Sequence, residues 1–264
     1  MYKGETIVKY YVIPSLNKIN KYLELSKEYN LGFEYNEFFK PEILDDNDKL
    51  NNIIDEYKKL SRTNDTLHGV FFDISLDSRD GLIRKISYDR VKKSLEIASK
   101  LKCKGVVFHT NYITWMKDEE YRNRWVELNA KAYLELIEEF SDLEIYIENM
   151  FDQDPYLLKR LIERINHNRI GVCLDVAHAA LSNVSISEWF NVLKKYIKHI
   201  HINDNDKICD LHLEIGKGII DYKEVYKYIN ELNSNTSILI EISDYDKTLG
   251  YIKYLKYGGL YDIK

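Results

Sequence analysis

The chain has 264 residues, a formal net charge of −5 and a hydrophobic fraction of 45%. A single (β/α)8 barrel commonly contains about 250 residues, so the length is compatible with one large domain. No apolar stretch approaches the roughly 18 residues that a membrane-spanning helix needs, which predicts a soluble protein. The 38 basic and 43 acidic residues are scattered along the chain. No overall basic field therefore attracts nucleic acid, which lowers the expectation of nucleic-acid binding without excluding it.

The N-terminal apolar run is too short and too interrupted for a signal peptide. The three cysteines, Cys103, Cys173 and Cys209, form no CxxC pair and leave an odd number. This arrangement argues against a disulfide framework and fits a reducing compartment. Together these features predict a cytoplasmic protein.

Eight short apolar runs alternate with longer amphipathic segments, and no linker rich in glycine, serine or proline interrupts them. The predicted strands lie at residues 6–13, 31–36, 65–70, 104–109, 143–148, 169–175, 197–203 and 237–242. Each connection is long enough to carry a helix, which predicts parallel strands joined by right-handed crossovers. The sequence therefore predicts a single-domain (β/α)8 TIM barrel over residues 1–264, with an open doubly wound sheet as the alternative.

Six of the eight predicted strands end in a residue that can bind a metal ion. These residues are His68, His109, Glu148, Asp175, His201 and Glu241. The carboxyl ends of parallel strands meet at one edge, where converging carboxylates repel one another unless a cation lies between them. A mixed carboxylate and imidazole set suits Mn²⁺, Zn²⁺ or Co²⁺ and leaves coordination positions free for a substrate. The first candidates for metal binding are Glu148, Asp175, His201 and Glu241.

Residues 199–218, HIHINDNDKICDLHLEIGKG, concentrate further candidate ligands. His199 and His201 lie on the same strand face at different depths, so His201 is the predicted ligand and His199 is expected to fill the barrel interior. Asp210 and His212 are two residues apart and can face one site from an extended loop. With His178, which follows Asp175 by three residues, they predict a further metal site or a substrate contact, the alternative being a loop salt bridge.

Four residues are predicted to bind substrate: Glu34, Asn149, Trp115 and Lys207. A buried structural ion pair is an equal expectation for Glu34, and support of the ligands is one for Asn149. Trp115 would form an apolar wall over the site, or else pack at the periphery. The glycines of EIGKG match neither a Walker motif nor a dinucleotide fingerprint, so no ATP or NAD site is indicated.

Seven stretches resemble the xylose isomerase-like TIM barrel superfamily, which includes sugar-phosphate isomerases and epimerases and endonuclease IV. They are LHGVFFDIS, VVFHTN, YIENM, GVCLDVAHAAL, HINDND, DLHLEIGKGIIDY and ILIEIS. They occur in the family's order between about residues 31 and 242. The resemblance implies a barrel that binds one to three divalent metal ions, Zn²⁺ or Mn²⁺ with Co²⁺ as a further option, and that often forms homo-oligomers. It also implies that Glu148, Asp175, His201 and Glu241 are the shared metal set.

The resemblance leaves two enzymatic branches open. In the isomerase and epimerase branch, Glu148 and Glu241 would be the acid/base pair that moves a proton on a sugar, sugar phosphate or related polyol through a metal-stabilised enediolate. In the endonuclease IV branch, zinc ions cleave DNA at abasic sites. Nine positions here are similar to that branch's ligands: His68, His109, Glu148, Asp175, His178, His201, Asp210, His212 and Glu241.

The N-terminal third departs from the endonuclease branch. VIPSLNKIN lacks the histidine and glycines that follow the first strand there, and HGVFF lacks the usual proline and tyrosine. The sequence therefore favours carbohydrate isomerisation or epimerisation, with the abasic-site endonuclease as the alternative. A third hypothesis, a barrel that binds metal without catalysis, is the weakest because no strand-end carboxylate is missing.

Overall fold

The computed structural model describes residues 9–257. The beginning of the predicted strand 6–13 and both ends of the predicted domain lie outside this range. Eight strands form a closed parallel barrel in the order β1 to β8, with β1 paired to β8. The strands are β1 (Tyr10–Val12), β2 (Gly32–Tyr35), β3 (Thr66–His68), β4 (Gly105–His109), β5 (Glu144–Glu148), β6 (Ile170–Asp175), β7 (Ile197–Ile202) and β8 (Ser237–Ile240). The predicted TIM barrel is confirmed, and each described strand lies within a predicted one.

Helices connect the strands on the outside of the barrel. They are α1 (Ile19–Tyr29), α2 (Pro41–Leu44), α3 (Asn47–Lys58), α4 (Gly81–Lys100), α5 (Glu119–Glu139), α6 (Tyr156–Ile165), α7 (Val176–Ala180), α8 (Ile186–Leu193), α9 (Tyr222–Asn230) and α10 (Tyr245–Tyr257). Several begin after an aspartate or serine whose side chain accepts a backbone N–H of the first turn, as Asp80 does for α4 and Asp118 for α5. These caps satisfy donors that the helix itself leaves unpaired.

Apolar packing occurs in two places. The large core lies between the strands and the surrounding helices. A second, much smaller cluster, Val107, Tyr146 and Cys173, lies apart from it and is also fully buried. These three residues lie on β4, β5 and β6, whose carboxyl ends carry His109, Glu148 and Asp175. The site described below thus lies on the same strands as this cluster, two residues further towards their carboxyl ends.

The sequence predicted that the chain has no membrane-spanning helix and no disulfide framework. Among residues 9–257, no helix is both long enough and apolar enough to cross a bilayer. All three cysteines are free; Cys103 and Cys173 are buried and Cys209 is exposed.

Candidate metal centre

The strand-end residues converge at the carboxyl edge of the barrel. His68, His109, Glu148 and Asp175 are the last residues of β3 to β6, His201 is the penultimate residue of β7, and Glu241 follows β8. All six are buried, with exposed fractions between 0% and 8%. The barrel topology explains this convergence, because each parallel strand delivers its last side chain to the same edge.

The first donor group contains His68, His109 and Glu148. The Nε2 atoms of the two histidines are 3.2 Å apart, and they lie 3.5 Å and 3.2 Å from Oε2 of Glu148. A tetrahedral zinc site with bonds near 2.0–2.1 Å has neighbouring ligand atoms about 3.3 Å apart. The spacing of these three atoms therefore fits a single zinc-sized ion.

The central donor group contains Glu148, Asp175, His201 and Glu241. Nδ1 of His201 lies 3.4 Å from Oε1 of Glu148 and 3.7 Å from Oε2 of Glu241. Ligand atoms of Glu148, Asp175 and His201 all lie within 4.8 Å of one another. The group thus joins one imidazole to three carboxylates, a donor set that suits Zn²⁺ or Mn²⁺.

Burial and neighbouring charges shift the pKa values of two acids of the central group in opposite directions. Burial raises the pKa of Asp175 to about 8. The charge of His178 lowers this pKa, and the charges of Glu241 and Glu148 raise it. Burial also raises the pKa of Glu148, but His201 and His109 outweigh this effect and hold it well below its usual value. The carboxylates thus oppose each other's ionisation, and a bound cation would relieve that repulsion.

The third donor group contains His178, Asp210 and His212. Oδ2 of Asp210 lies 3.2 Å from Nε2 of His178 and 3.1 Å from Nε2 of His212. The helix α7 begins directly after the sixth strand, and the Asp175 side chain accepts the backbone N–H of His178 at 2.6 Å. The His212 side chain is 42% exposed and that of Asp210 25%. This group therefore lies at the mouth of the site.

The outer ring nitrogens of three site histidines meet backbone carbonyl oxygens. Nδ1 of His68 lies 3.0 Å from Gly69 O, and Nδ1 of His178 lies 2.8 Å from Asn149 O. Nδ1 of His212 lies 3.4 Å from Glu241 O. An imidazole that donates its Nδ1–H to a carbonyl keeps the lone pair of Nε2 free for a metal ion. In all three residues Nε2 is the atom that faces the donor group.

Several buried polar atoms of the site have no hydrogen-bond partner among the described residues. They are both carboxylate oxygens of Glu148, Oδ2 of Asp175, Nδ1 of His109, Nδ1 and Nε2 of His201, and Oδ1 of Asp210. The close contacts of Glu148 therefore lack hydrogen-bond geometry. Buried polar atoms are costly when unpaired, and atoms that wait for an ion are one accepted reason for such exceptions. The residues present fit one or more divalent metal ions.

A second buried aspartate, Asp204, organises the loop that carries Asp210 and His212. Its carboxylate accepts the backbone N–H groups of Gly216, Gly218 and Ile220 at 2.9, 3.0 and 3.2 Å. A Cβ at Gly218 would lie 2.2 Å from this carboxylate and 2.2 Å from Asn205 O. Glycine is thus required where the loop passes Asp204.

The four predicted substrate-binding residues occupy different environments. Glu34 is fully buried against His199 and His201, and Asn149 exchanges two hydrogen bonds with the backbone of Asp175. Trp115 is 78% exposed, and Lys207 is exposed in the loop after β7. Substrate binding by these four residues stays a prediction, as does metal binding by the nine ligand candidates.

One aromatic contact of the site was not predicted from the sequence. The ring of Phe71 lies 5.1 Å from the ring of His68 and 4.6 Å from that of His109, centre to centre. Tyr112, three residues before Trp115 in the loop after β4, packs against Tyr121 and Trp125 and not against the site histidines. The only sequence signal for Phe71 is its position three residues after a strand-end histidine.

Comparisons with known proteins identify a family and several similar proteins. A family model described as xylose isomerase-like TIM barrel matches residues 25–256. Uncharacterized protein MJ1614 of Methanocaldococcus jannaschii is 32% identical over 193 residues, which cover 71% of this chain and 76% of that protein. A probable endonuclease 4 of Mycoplasma mobile is 30% identical over 172 residues, covering 55% of this chain and 60% of the relative.

Among solved structures, a D-tagatose 3-epimerase-like protein superimposes with a TM-score of 0.76. The match covers 95% of this chain and 96% of the other, at 22% sequence identity. A likeness at that identity shows a shared fold. The chain thus resembles in sequence a protein named probable endonuclease 4, and it shares its fold with a D-tagatose 3-epimerase-like protein.

Proposed function

Because this chain belongs to the xylose isomerase-like TIM barrel family, we propose that it is a divalent-metal-dependent hydrolase of phosphate esters. The first substrate to test is the phosphodiester at an abasic site in DNA, as in the relatives named probable endonuclease 4. The sequence alone favoured carbohydrate chemistry. We base the present proposal on the arrangement of the donor groups.

The position of Glu148 between the first and the central donor group carries this proposal. Oε2 lies 3.5 and 3.2 Å from Nε2 of His68 and of His109, whereas Oε1 lies 3.4 Å from Nδ1 of His201. A carboxylate with one oxygen towards each of two donor groups is suited to sit between two metal ions. An epimerase base, in contrast, needs a carboxylate oxygen that faces the substrate carbon.

The third donor group supports the same reaction class. A single ion in the central group would leave the first and third donor groups without a metal ion to bind. These groups contribute His68, His109, His178, Asp210 and His212. Divalent ions held by the three groups would act as Lewis acids that stabilise the negative charge developing on phosphoryl oxygens.

Glu241 is the best placed proton acceptor of the site. It is the most exposed of the strand-end carboxylates, at 8%. Asn203 Nδ2 donates to its Oε2 at 3.1 Å, which leaves Oε1 to take a proton from an incoming water. The Asn203 contact would hold the carboxylate in this orientation.

A sugar isomerase or epimerase is the second candidate. Its supporting observation is that Glu148 and Glu241 approach the same His201 from different strands, as an acid/base pair around one metal-bound substrate would. Sugar epimerases among the structural neighbours agree with this possibility. Both oxygens of Glu148 lie close to imidazoles, which argues against its role as the base of an epimerase.

The test incubates zinc- or manganese-loaded protein with a DNA duplex that carries one abasic-site analogue. An undamaged duplex of the same sequence and a panel of ketoses and ketose phosphates are assayed in parallel. We expect nicking of the abasic duplex only, and a metal content near three ions per chain. Turnover of a ketose without nicking would reject the hydrolase in favour of the epimerase.

Two Glu→Gln variants on one strand provide the matched comparison. Glu148→Gln should abolish nicking, because a neutral amide would remove the negative charge that the first and central donor groups share. Glu144→Gln changes the other end of β5, where Glu144 contacts Tyr146 and Lys198, and should keep wild-type activity. Equal activity of the two variants would contradict the proposed role of Glu148.

A further inference from the structure

Four buried side chains form a line of contacts beneath the central donor group. Ser237 Oγ lies 2.6 Å from Nδ1 of His199, and Nε2 of His199 lies 3.2 Å from Oε2 of Glu34. The other oxygen of Glu34 lies 3.2 Å from Nε2 of His201. All four residues are at most 1% exposed. The line ends at His201, whose Nδ1 faces Glu148.

Glu34 reaches these histidines across the barrel interior. It lies on β2, whereas His199 and His201 lie on β7, and β8 and β1 separate these strands in the barrel order. Thr66 on β3 donates a further hydrogen bond to Oε2 at 2.8 Å. A carboxylate removed from water needs such donors, and two of its three partners here are imidazoles.

The geometry points to Glu34 as a positioning residue of the metal centre. Oε1 of Glu34 lies 3.2 Å from Nε2 of His201. A carboxylate at that distance favours the tautomer with the proton on Nε2, in which the Nδ1 lone pair faces Glu148 and Glu241. His199 lies against Glu34 from below, with Nε2 3.2 Å from Oε2 of Glu34 and Nδ1 2.6 Å from the Ser237 hydroxyl. This inference rests on the metal-binding part of the proposed function and is independent of the reaction.

His201 differs from the other site histidines in this contact. The outer nitrogens of His68, His178 and His212 meet neutral backbone carbonyls, whereas that of His201 meets a carboxylate. A carboxylate makes the attached imidazole a stronger electron donor than a carbonyl does. The ion of the central group is therefore the one that Glu34 holds in place.

The test measures metal binding in Glu34→Gln. Glutamine keeps the size of the side chain but offers one acceptor oxygen for two imidazole N–H groups. We expect zinc affinity, measured by competition with a chromogenic chelator, to fall about 10- to 100-fold. We also expect a changed visible absorption spectrum of the Co²⁺-loaded protein, which reports the ligand geometry directly.

Two control variants separate positioning from general stability. Thr66→Val removes one donor to Glu34 and leaves both imidazole contacts, so affinity and spectrum should stay at wild-type values. Asp65→Asn removes another buried carboxylate, which contacts Arg62 and Tyr35, and should lower stability while affinity is retained. Wild-type affinity and spectrum in Glu34→Gln would overturn the inference.

Glu34→Asp decides the question if Glu34→Gln does not fold. Aspartate keeps the charge but is one methylene shorter, so it should weaken zinc binding and alter the Co²⁺ spectrum, and unchanged values would overturn the inference. Wild-type protein that binds metal but cleaves no phosphate ester would reject the proposed function and leave the role of Glu34 standing. Wild-type protein that binds no metal would reject both.

Discussion

The two ends of the barrel both bury carboxylates, but they neutralise them differently. Asp65, just before β3, accepts hydrogen bonds from Phe33 N, from the Tyr35 hydroxyl and from two nitrogens of Arg62, all at 2.7–2.9 Å. Glu148, at the opposite end, faces imidazoles only and has no hydrogen-bond partner among the described residues on either oxygen.

The comparison separates a structural charge from a functional one. Asp65 carries its counter-ion within the protein, so its ion pair is complete as soon as the chain folds. The carboxylates of the donor groups have no Arg or Lys among their described ion-pair partners. Their partners are imidazoles, which are themselves metal-binding groups, so this end of the barrel is suited to a cation.

The largest expected effect is that of metal removal. A chelator should abolish hydrolysis and lower the melting temperature, because an ion present at 1,000 times its dissociation constant adds about 4 kcal/mol to the free energy of unfolding. Activity assays and thermal unfolding with and without chelator, followed by zinc addition, measure both effects. Identical melting curves would show that the carboxyl end of the barrel needs no cation.

Asp65→Asn addresses the other end of the comparison. Removing one partner of a buried ion pair costs about 3–5 kcal/mol, because Arg62 is left without its counter-charge. Denaturant unfolding should show this loss while zinc content stays at the wild-type value. Asp89→Asn, which breaks the exposed pair with Lys85, is the control and should change stability by less than about 0.5 kcal/mol. A loss of zinc in Asp65→Asn would contradict the separation of the two ends.

Gly218→Ala tests whether loop geometry supports the third donor group. The added methyl would collide with Asp204 and Asn205, displacing the loop at a cost of about 1–3 kcal/mol. We expect reduced metal content, measured by elemental analysis, and lower hydrolytic activity. Gly250→Ala in α10, where no atom lies within 4 Å of the new Cβ, is the control. Full metal content in Gly218→Ala would show that Asp210 and His212 do not depend on this loop.

Asp152 is a buried carboxylate with neither an arginine partner, as Asp65 has, nor a place in a donor group. The smallest effect is expected for its substitution. Burial raises the pKa of Asp152 to about 6, although hydrogen bonds from Thr110 and Met150 lower it. Because the folded state keeps a proton on Asp152 that the unfolded chain releases between about pH 4 and 6, the contribution of Asp152 to the free energy of unfolding falls as the pH rises through this window.

Asp152→Asn removes this titration. The free energy of unfolding of the variant, minus that of the wild type, should therefore increase by about 2–3 kcal/mol from pH 4 to pH 7. Chemical denaturation of metal-free protein at several pH values measures the difference. Parallel pH profiles of the two proteins would contradict the raised pKa.

The sequence by itself determined the strands of the barrel and the strand-end residues of the site. Apolar runs and their spacing are local properties, and parallel topology then places every strand end, from His68 to Glu241, at one edge.

The tertiary structure decided how these residues share their contacts. Residues 34 and 201 are 167 positions apart, and no local pattern indicates that Glu34 meets His201 or that Phe71 packs over His109. In the HINDNDKICD segment the spacing of Asp210 and His212 singled out Asp210, but no local pattern indicated that Asp204 holds the loop and that Asp206 caps a turn. Such distinctions depend on distances and ring orientations across the barrel, which exist only once the chain has closed on itself.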